Sequence, residues 1–127
     1  MILGTGIDIV DNERIKKWLD DDLILERYFS TDEIAYVRGR KKSAAASLAA
    51  RFAAKEAFGK ALGTGLHGIS LKDIEVISDI NGKPDLMLRG SALRVFEECG
   101  GGKVFLSLSH DSVFSIAQVI IEEAPLG

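Results

Sequence analysis

Apolar and polar positions alternate over the first ten residues. In MILGTGIDIV, Ile7 and Ile9 fall on one face of an extended chain, while Ile2, Asp8 and Val10 share the other. Ile2 to Val10 therefore reads as a strand that carries an acid among apolar neighbours. Asp11 then caps a short helix with Ile15, Trp18 and Leu19 at helical spacing. Ser30 and Glu33 form a capping-box pair that opens a second helix, ending near Gly39 beside the basic cluster RGRKK. A long helix is predicted from Ser43 to Leu62, with Gly63 as its C-cap. Ile74 to Ile77 and Asp85 to Leu88 read as paired strands across SDINGKP, where Asn-Gly is a turn signal. Ser91 to Cys99 reads as a short helix broken by three glycines, and Val104 to Ser109 with Val113 to Ile121 as a closing hairpin. The elements make an α+β mixture without strict βαβ alternation. At 127 residues the chain is expected to form one domain, 1-127.

The long helix is apolar nearly all round. At about 100° per residue, Phe52, Glu56 and Lys60 follow one stripe. Ala46, Ala50, Ala53, Ala54, Ala57 and Ala61 make the next, and Arg51 and Lys55 lie on another side near Leu48 and Leu62. Such a helix is usually buried, and a short chain has limited means to surround it. Burial against other subunits is one solution, which favours an oligomer without fixing its symmetry. Glu56 and Lys60 have two readings. They are an i,i+4 surface pair, or charges beside a packed stripe whose missing partner is a ligand or metal. The GTG that follows is a stop signal, because phosphate favours a helix N-terminus over a C-terminus.

Composition narrows the classes. Apolar residues make up 46% and charged residues 28%, an ordinary globular balance. A net charge of -3 gives no support for nucleic-acid binding. One cysteine, Cys99, leaves no internal disulfide or multi-cysteine zinc site and fits a reducing compartment. The N-terminus lacks the pattern of a signal peptide, and no apolar run approaches the ~20 residues that cross a bilayer. The expectation is a soluble cytoplasmic protein without membrane or nucleic-acid partners.

Asp8 has two readings: a carboxylate that caps or pairs with an arginine, or a ligand for a hard cation such as Mg²⁺, held with Glu56 and substrate phosphates. His110 ends VFLSLSH, either as a structural histidine or as a donor to phosphate. Ser107 and Ser109 lack the surroundings of a serine-hydrolase elbow. Arg14, Lys16 and Lys17, then Arg38, Arg40, Lys41 and Lys42, are solvated surface charge or a patch for an acidic protein, with Trp18 as its apolar part.

GIDIVDNERI, RFAAKEAFGKALGTG, NGKP and LSLSH, in that order, resemble the holo-acyl-carrier-protein synthases, the small bacterial 4′-phosphopantetheinyl transferases. The resemblance spans essentially the whole chain. It implies an antiparallel sheet packed with one long central helix, in a homotrimer with active sites between subunits. It also implies transfer of phosphopantetheine from coenzyme A to a serine of apo-acyl carrier protein, in the service of fatty acid biosynthesis. Asp8 and Glu56 would hold Mg²⁺, and Asp8, Glu56 and Lys60 would be catalytic. Arg51, Lys60, Ser109 and His110, with the turn Asn81, Gly82, Lys83 and Pro84, would bind coenzyme A. Arg51 and His110 would contact its 3′-phosphate. Arg14, Lys17 and Trp18 would meet the carrier protein. Asp111 departs from the threonine more often found after the histidine, and Lys103 from a histidine. An acid beside a phosphate site is electrostatically awkward. A non-catalytic nucleotide-binding oligomer and a metal-dependent phosphohydrolase are the competing readings.

Overall fold

The computed structural model describes residues 1–126. Five strands and five α-helices alternate irregularly: β1 (Ile2–Asp11), α1 (Asn12–Lys16), α2 (Asp22–Tyr28), α3 (Thr31–Arg38), α4 (Ala44–Leu62), β2 (Ile74–Ser78), β3 (Pro84–Leu88), α5 (Gly90–Glu98), β4 (Gly101–His110) and β5 (Phe114–Glu123). β5 runs between β1 and β4 in an antiparallel three-stranded sheet, and β2 pairs with β3 as a separate hairpin. This is the expected α+β arrangement of an antiparallel sheet and one long helix.

The small side chains of α4 explain how it sits. It packs across β1 and β5, and a Cβ on Gly4 or Gly6 would overlap the carbonyl oxygens of Ala61 or Ala57. Glycine on the strand and alanine on the helix let the two backbones nearly touch. Gly63 ends the helix at φ +82°, in the left-handed region that the Cβ of other residues disfavours.

One protomer covers most of α4 without help. Leu48, Ala49, Ala53, Ala54, Ala57 and Phe58 are all buried by the chain itself. This helix therefore does not by itself require an oligomer. Unsatisfied apolar surface lies instead on the far face of the sheet. Ile7 and Ile9 are 59% and 58% exposed, and Phe105, Phe114 and Ile116 are exposed beside them. Ile9 sits opposite Ile116 in the β1–β5 register, so the patch is continuous.

The deepest charge is on the side of α4 away from Glu56. Lys55 is fully buried, and its ammonium donates to Glu33 Oε1 at 2.7 Å, Leu71 O at 2.9 Å and Ile74 O at 2.5 Å. Glu33 is spent in turn on the Ser30 and Val76 N–H groups. The Ser30–Glu33 capping box is present. Ser30 Oγ also donates to Glu75 Oε2 at 2.5 Å, and Glu75 pairs with Arg89 at 3.0 Å. Burial pulls the Lys55 pKa down, against the opposing pull of Glu33.

The helix capped by Asp11, expected to carry Ile15, Trp18 and Leu19, ends at Lys16 and tightens into a 3₁₀ turn over Lys17–Asp20, and α2 is an addition to the expected elements. Their signals were faint: Asp21 accepts from Ile24 N as a cap, and only Leu25 and Phe29 go inside.

Removing one partner of a buried pair leaves the other charge stranded, at roughly 3–5 kcal/mol. Lys55→Met is expected to lower unfolding free energy by about that much in urea titration. A loss under about 1 kcal/mol would mean that Glu33 is solvated or protonated at little cost.

Candidate active site

Asp8 lies on the inner face of β1, an edge strand of its sheet, opposite Ala117 of β5. The Gly6–Ala57 approach brings this part of β1 against the last turns of α4. Lys60 Nζ then reaches Asp8 Oδ1 at 3.0 Å and the Ile7 carbonyl at 3.0 Å. The Asp8 carboxylate is mostly covered, while the Lys60 side chain is about half exposed. A cavity of about 400 Å³ opens here, lined by Asp8, Lys60 and the isoleucines Ile7, Ile9 and Ile116.

Glu56 stands one helical turn before Lys60 and is half buried. Its pKa is raised, first by burial and then by the negative charge of Asp8, against Lys60 and Arg14. No hydrogen bond is among these influences. The two acids, far apart in sequence, thus feel each other across the β1–α4 contact. Two carboxylates at an open edge suit a hard divalent ion, which takes one or two such oxygens and completes its shell with water and phosphate. Among the described residues, no three or more His, Cys, Asp or Glu side chains gather as a self-sufficient metal cage.

Arg14 acts on Glu56 as well. It therefore does not belong to a basic patch separate from the acidic pair, because α1 packs on α4. Lys17 is exposed, as a partner-facing residue should be. Trp18, expected as the apolar part of the carrier-protein contact, is half-buried. Its ring meets Phe52 edge-on at 5.0 Å and Tyr28 at 5.7 Å, tying the 3₁₀ turn to α4.

The remaining residues sit elsewhere on the protomer. His110 and Ser109 are exposed, and His110 lines a cavity of about 490 Å³ with Lys16, Lys42 and Ser43. Lys83 and Pro84 border a third cavity of about 340 Å³ with Lys103 and Phe105, and Asn81 and Gly82 form the exposed turn beside it. Arg51 is 5% exposed, lies 4.1 Å over the Tyr36 ring and donates to Ser47 Oγ at 3.0 Å. Its Nε is buried without a partner. It does not line the His110 cavity, so the protomer by itself does not bring Arg51 and His110 to one phosphate. Lys42, Ser43 and Lys103 were not singled out as ligand residues. RGRKK and GGGKV carried their signal, but nothing local says which lysine of a cluster borders a cavity.

Asp111 lines the same cavity as His110, so the acid does stand beside the expected phosphate site. Its carboxylate accepts from Val113 N at 2.8 Å and Phe114 N at 2.7 Å, which makes it the turn residue of the last hairpin. Those N–H groups hold its pKa below the usual range.

Residues 4–115 match the 4′-phosphopantetheinyl transferase superfamily. A holo-[acyl-carrier-protein] synthase of Treponema denticola is 57% identical over 122 residues, 96% of this chain and 99% of its own length. The chain belongs to the holo-[acyl-carrier-protein] synthase family of 4′-phosphopantetheinyl transferases. It is an enzyme of this class. The crystal structure of the Neisseria meningitidis synthase superposes with a TM-score of 0.87 at 34% identity, covering 97% of this chain and 100% of that one. The Bacillus anthracis synthase, crystallised in complex with CoA (3′,5′-ADP), gives 0.81 at 41% identity over 97% and 98%.

The raised pKa of Glu56 has a stability consequence. A carboxyl whose folded pKa exceeds its unfolded value stabilises the fold below the unfolded value, and that contribution is lost as pH rises through the folded one. Glu56→Gln removes the ionisation. Thermal melts from mildly acidic to neutral pH should show the wild type falling relative to the variant, with the variant's Tm equal or up to about 4 °C higher at neutral pH. A variant clearly less stable at neutral pH would mean that the Glu56 charge is stabilising.

Proposed function

We propose that this enzyme transfers the 4′-phosphopantetheine group of coenzyme A to a serine of apo-acyl carrier protein, releasing adenosine 3′,5′-bisphosphate and serving fatty acid biosynthesis. The observation that carries the reading is the meeting of Asp8, Glu56 and Lys60 at one open edge of the sheet. The relatives' names and the coenzyme A complex of the Bacillus anthracis protein support the substrates.

The chemistry follows from the groups present. The serine oxygen forms a bond to the phosphorus that carries the pantetheine arm, and the bond from that phosphorus to the bridging oxygen of the pyrophosphate breaks. Glu56 accepts the serine proton, directly or through a water on the metal that it would help to hold. Lys60 stabilises the charge that grows on the departing phosphate ester, and such placed charge is usually the largest catalytic contribution. Asp8 and Glu56 are the residues that would hold Mg²⁺, which when bound offsets pyrophosphate charge. Arg14 and Lys17 face the carrier protein, with Trp18 as the support behind them.

The assembly belongs to the same proposal. The apolar outer sheet face, Ile7, Ile9, Phe114 and Ile116, suits burial against other copies in a homotrimer. The Asp8 cavity borders that face. Sites between subunits would let the separated groups Arg51, Ser109, His110 and Asn81–Pro84 act on one coenzyme A, drawn from different protomers.

Incubation with coenzyme A, Mg²⁺ and apo-acyl carrier protein should add about one phosphopantetheine to the carrier mass. Glu56→Ala should lower the rate at least 10²-fold while the oligomer survives in sedimentation. Coenzyme A hydrolysed without a carrier mass gain would overturn the transfer.

Ile9→Glu places a charge in the centre of the apolar face. It should yield single protomers in sedimentation, with helical circular dichroism retained and transfer lost. A variant still trimeric would place the interface elsewhere.

A further inference from the structure

We propose that Lys60 is the built-in counter-cation of Asp8, and that a divalent ion bound between the Asp8 and Glu56 carboxylates displaces its ammonium. This rests on reading the two acids as metal ligands. The geometry is that of a clip. Lys60 Nζ lies 3.0 Å from Asp8 Oδ1 and 3.0 Å from the carbonyl oxygen of the preceding residue, Ile7. Both acceptors belong to an edge strand, so the ammonium bridges side chain and main chain beside the close approach of α4 to it.

The two partners differ in freedom. The Asp8 side chain is 18% exposed and the Lys60 side chain 54%. The carboxylate is held by the sheet, whereas the lysine stem can swing into solvent. Lys60 is the sole salt-bridge partner of Asp8 among the described residues. The chain therefore already supplies one positive charge to a pair of acids that a divalent ion would share.

An incoming ion and the ammonium compete for the same negative charge and repel each other across a few ångströms. Metal arriving alone leaves Lys60 displaced and unpaired. Metal arriving with a diphosphate gives the ammonium a phosphate oxygen in exchange for Asp8. Ion and diphosphate binding are thereby coupled through one side chain, and the coupling is reciprocal. The clip makes the site favour the ion–diphosphate complex over the bare ion.

The test uses Mn²⁺ as the probe. It is titrated into the purified protein, with free ion read by electron paramagnetic resonance, with and without coenzyme A. Lys60→Met should bind Mn²⁺ alone about fivefold more tightly than the wild type, and Lys60→Arg, which keeps the charge, should stay near the wild type. The tightening that coenzyme A produces in the wild type should shrink in Lys60→Met. Asp8→Asn should abolish uptake, which locates the ion. A merely structural Lys60 predicts unchanged or weaker Mn²⁺ binding in Lys60→Met, and that result overturns the exchange while leaving the metal ligands in place. No uptake by the wild type or Lys60→Met, with or without coenzyme A, overturns the metal reading and the exchange together.

Discussion

The buried ion pair between Lys55 and Glu33 fixes how the long helix can sit. An ammonium has three N–H donors, and Lys55 spends them on a carboxylate and two carbonyls drawn from α3, the turn before β2 and β2 itself. Rotating or sliding α4 would strand that charge in the interior, where an unpaired ion costs several kcal/mol. The requirement is therefore on register as much as on stability. Small residues let α4 approach β1 closely, but alanine is a smooth surface and specifies little about rotation. The lysine supplies the missing specification.

With that rotation set, the next residue projects about 100° around the helix. Glu56 follows Lys55 and so turns from the α3–β2 side towards Asp8. Lys60 lies one turn further along the same stripe. A structural anchor and the reactive stripe are thus neighbours in sequence that lie on different sides of the helix. This explains why RFAAKEAFGKALGTG is so compact: one helix segment carries the close packing, the buried anchor, the acid and the ammonium, and ends in the glycine its stop requires.

Periodicity made the elements and the unusual helix legible. Alternation placed Asp8 on the inner face of β1, and helical spacing separated Glu56 and Lys60 from Arg51 and Lys55. What periodicity could not express was which charged side the chain itself would satisfy. Lys55 carried no local mark, because its partners come from three distant segments. The motive for an oligomer was attached to α4, but the uncovered apolar surface belongs to the sheet, since strand alternation hides how many layers will stack. Trp18 looked like an anchor for a partner because an indole beside basic residues reads the same whether it faces solvent or Phe52. The distances that bring Arg14 to Glu56 are tertiary and left no trace in spacing.

The extent to which each charge is satisfied sorts structure from chemistry. Lys55 has an acceptor for every donor and no exposure, so it is spent on the fold. Lys60 has two acceptors and an exposed stem, so it is held but not locked. Glu56 is shaped by burial and charge with no hydrogen bond among those influences, which leaves its oxygens free for a proton or an ion. An acid kept partly desolvated and beside another acid is poorly accommodated in the folded protein. Burial and the like charge of Asp8 are the two effects that raise its carboxyl pKa. Full satisfaction of Glu56, by a hydrogen bond such as Glu33 receives from Val76, would stabilise the fold and lower the basicity on which proton transfer depends.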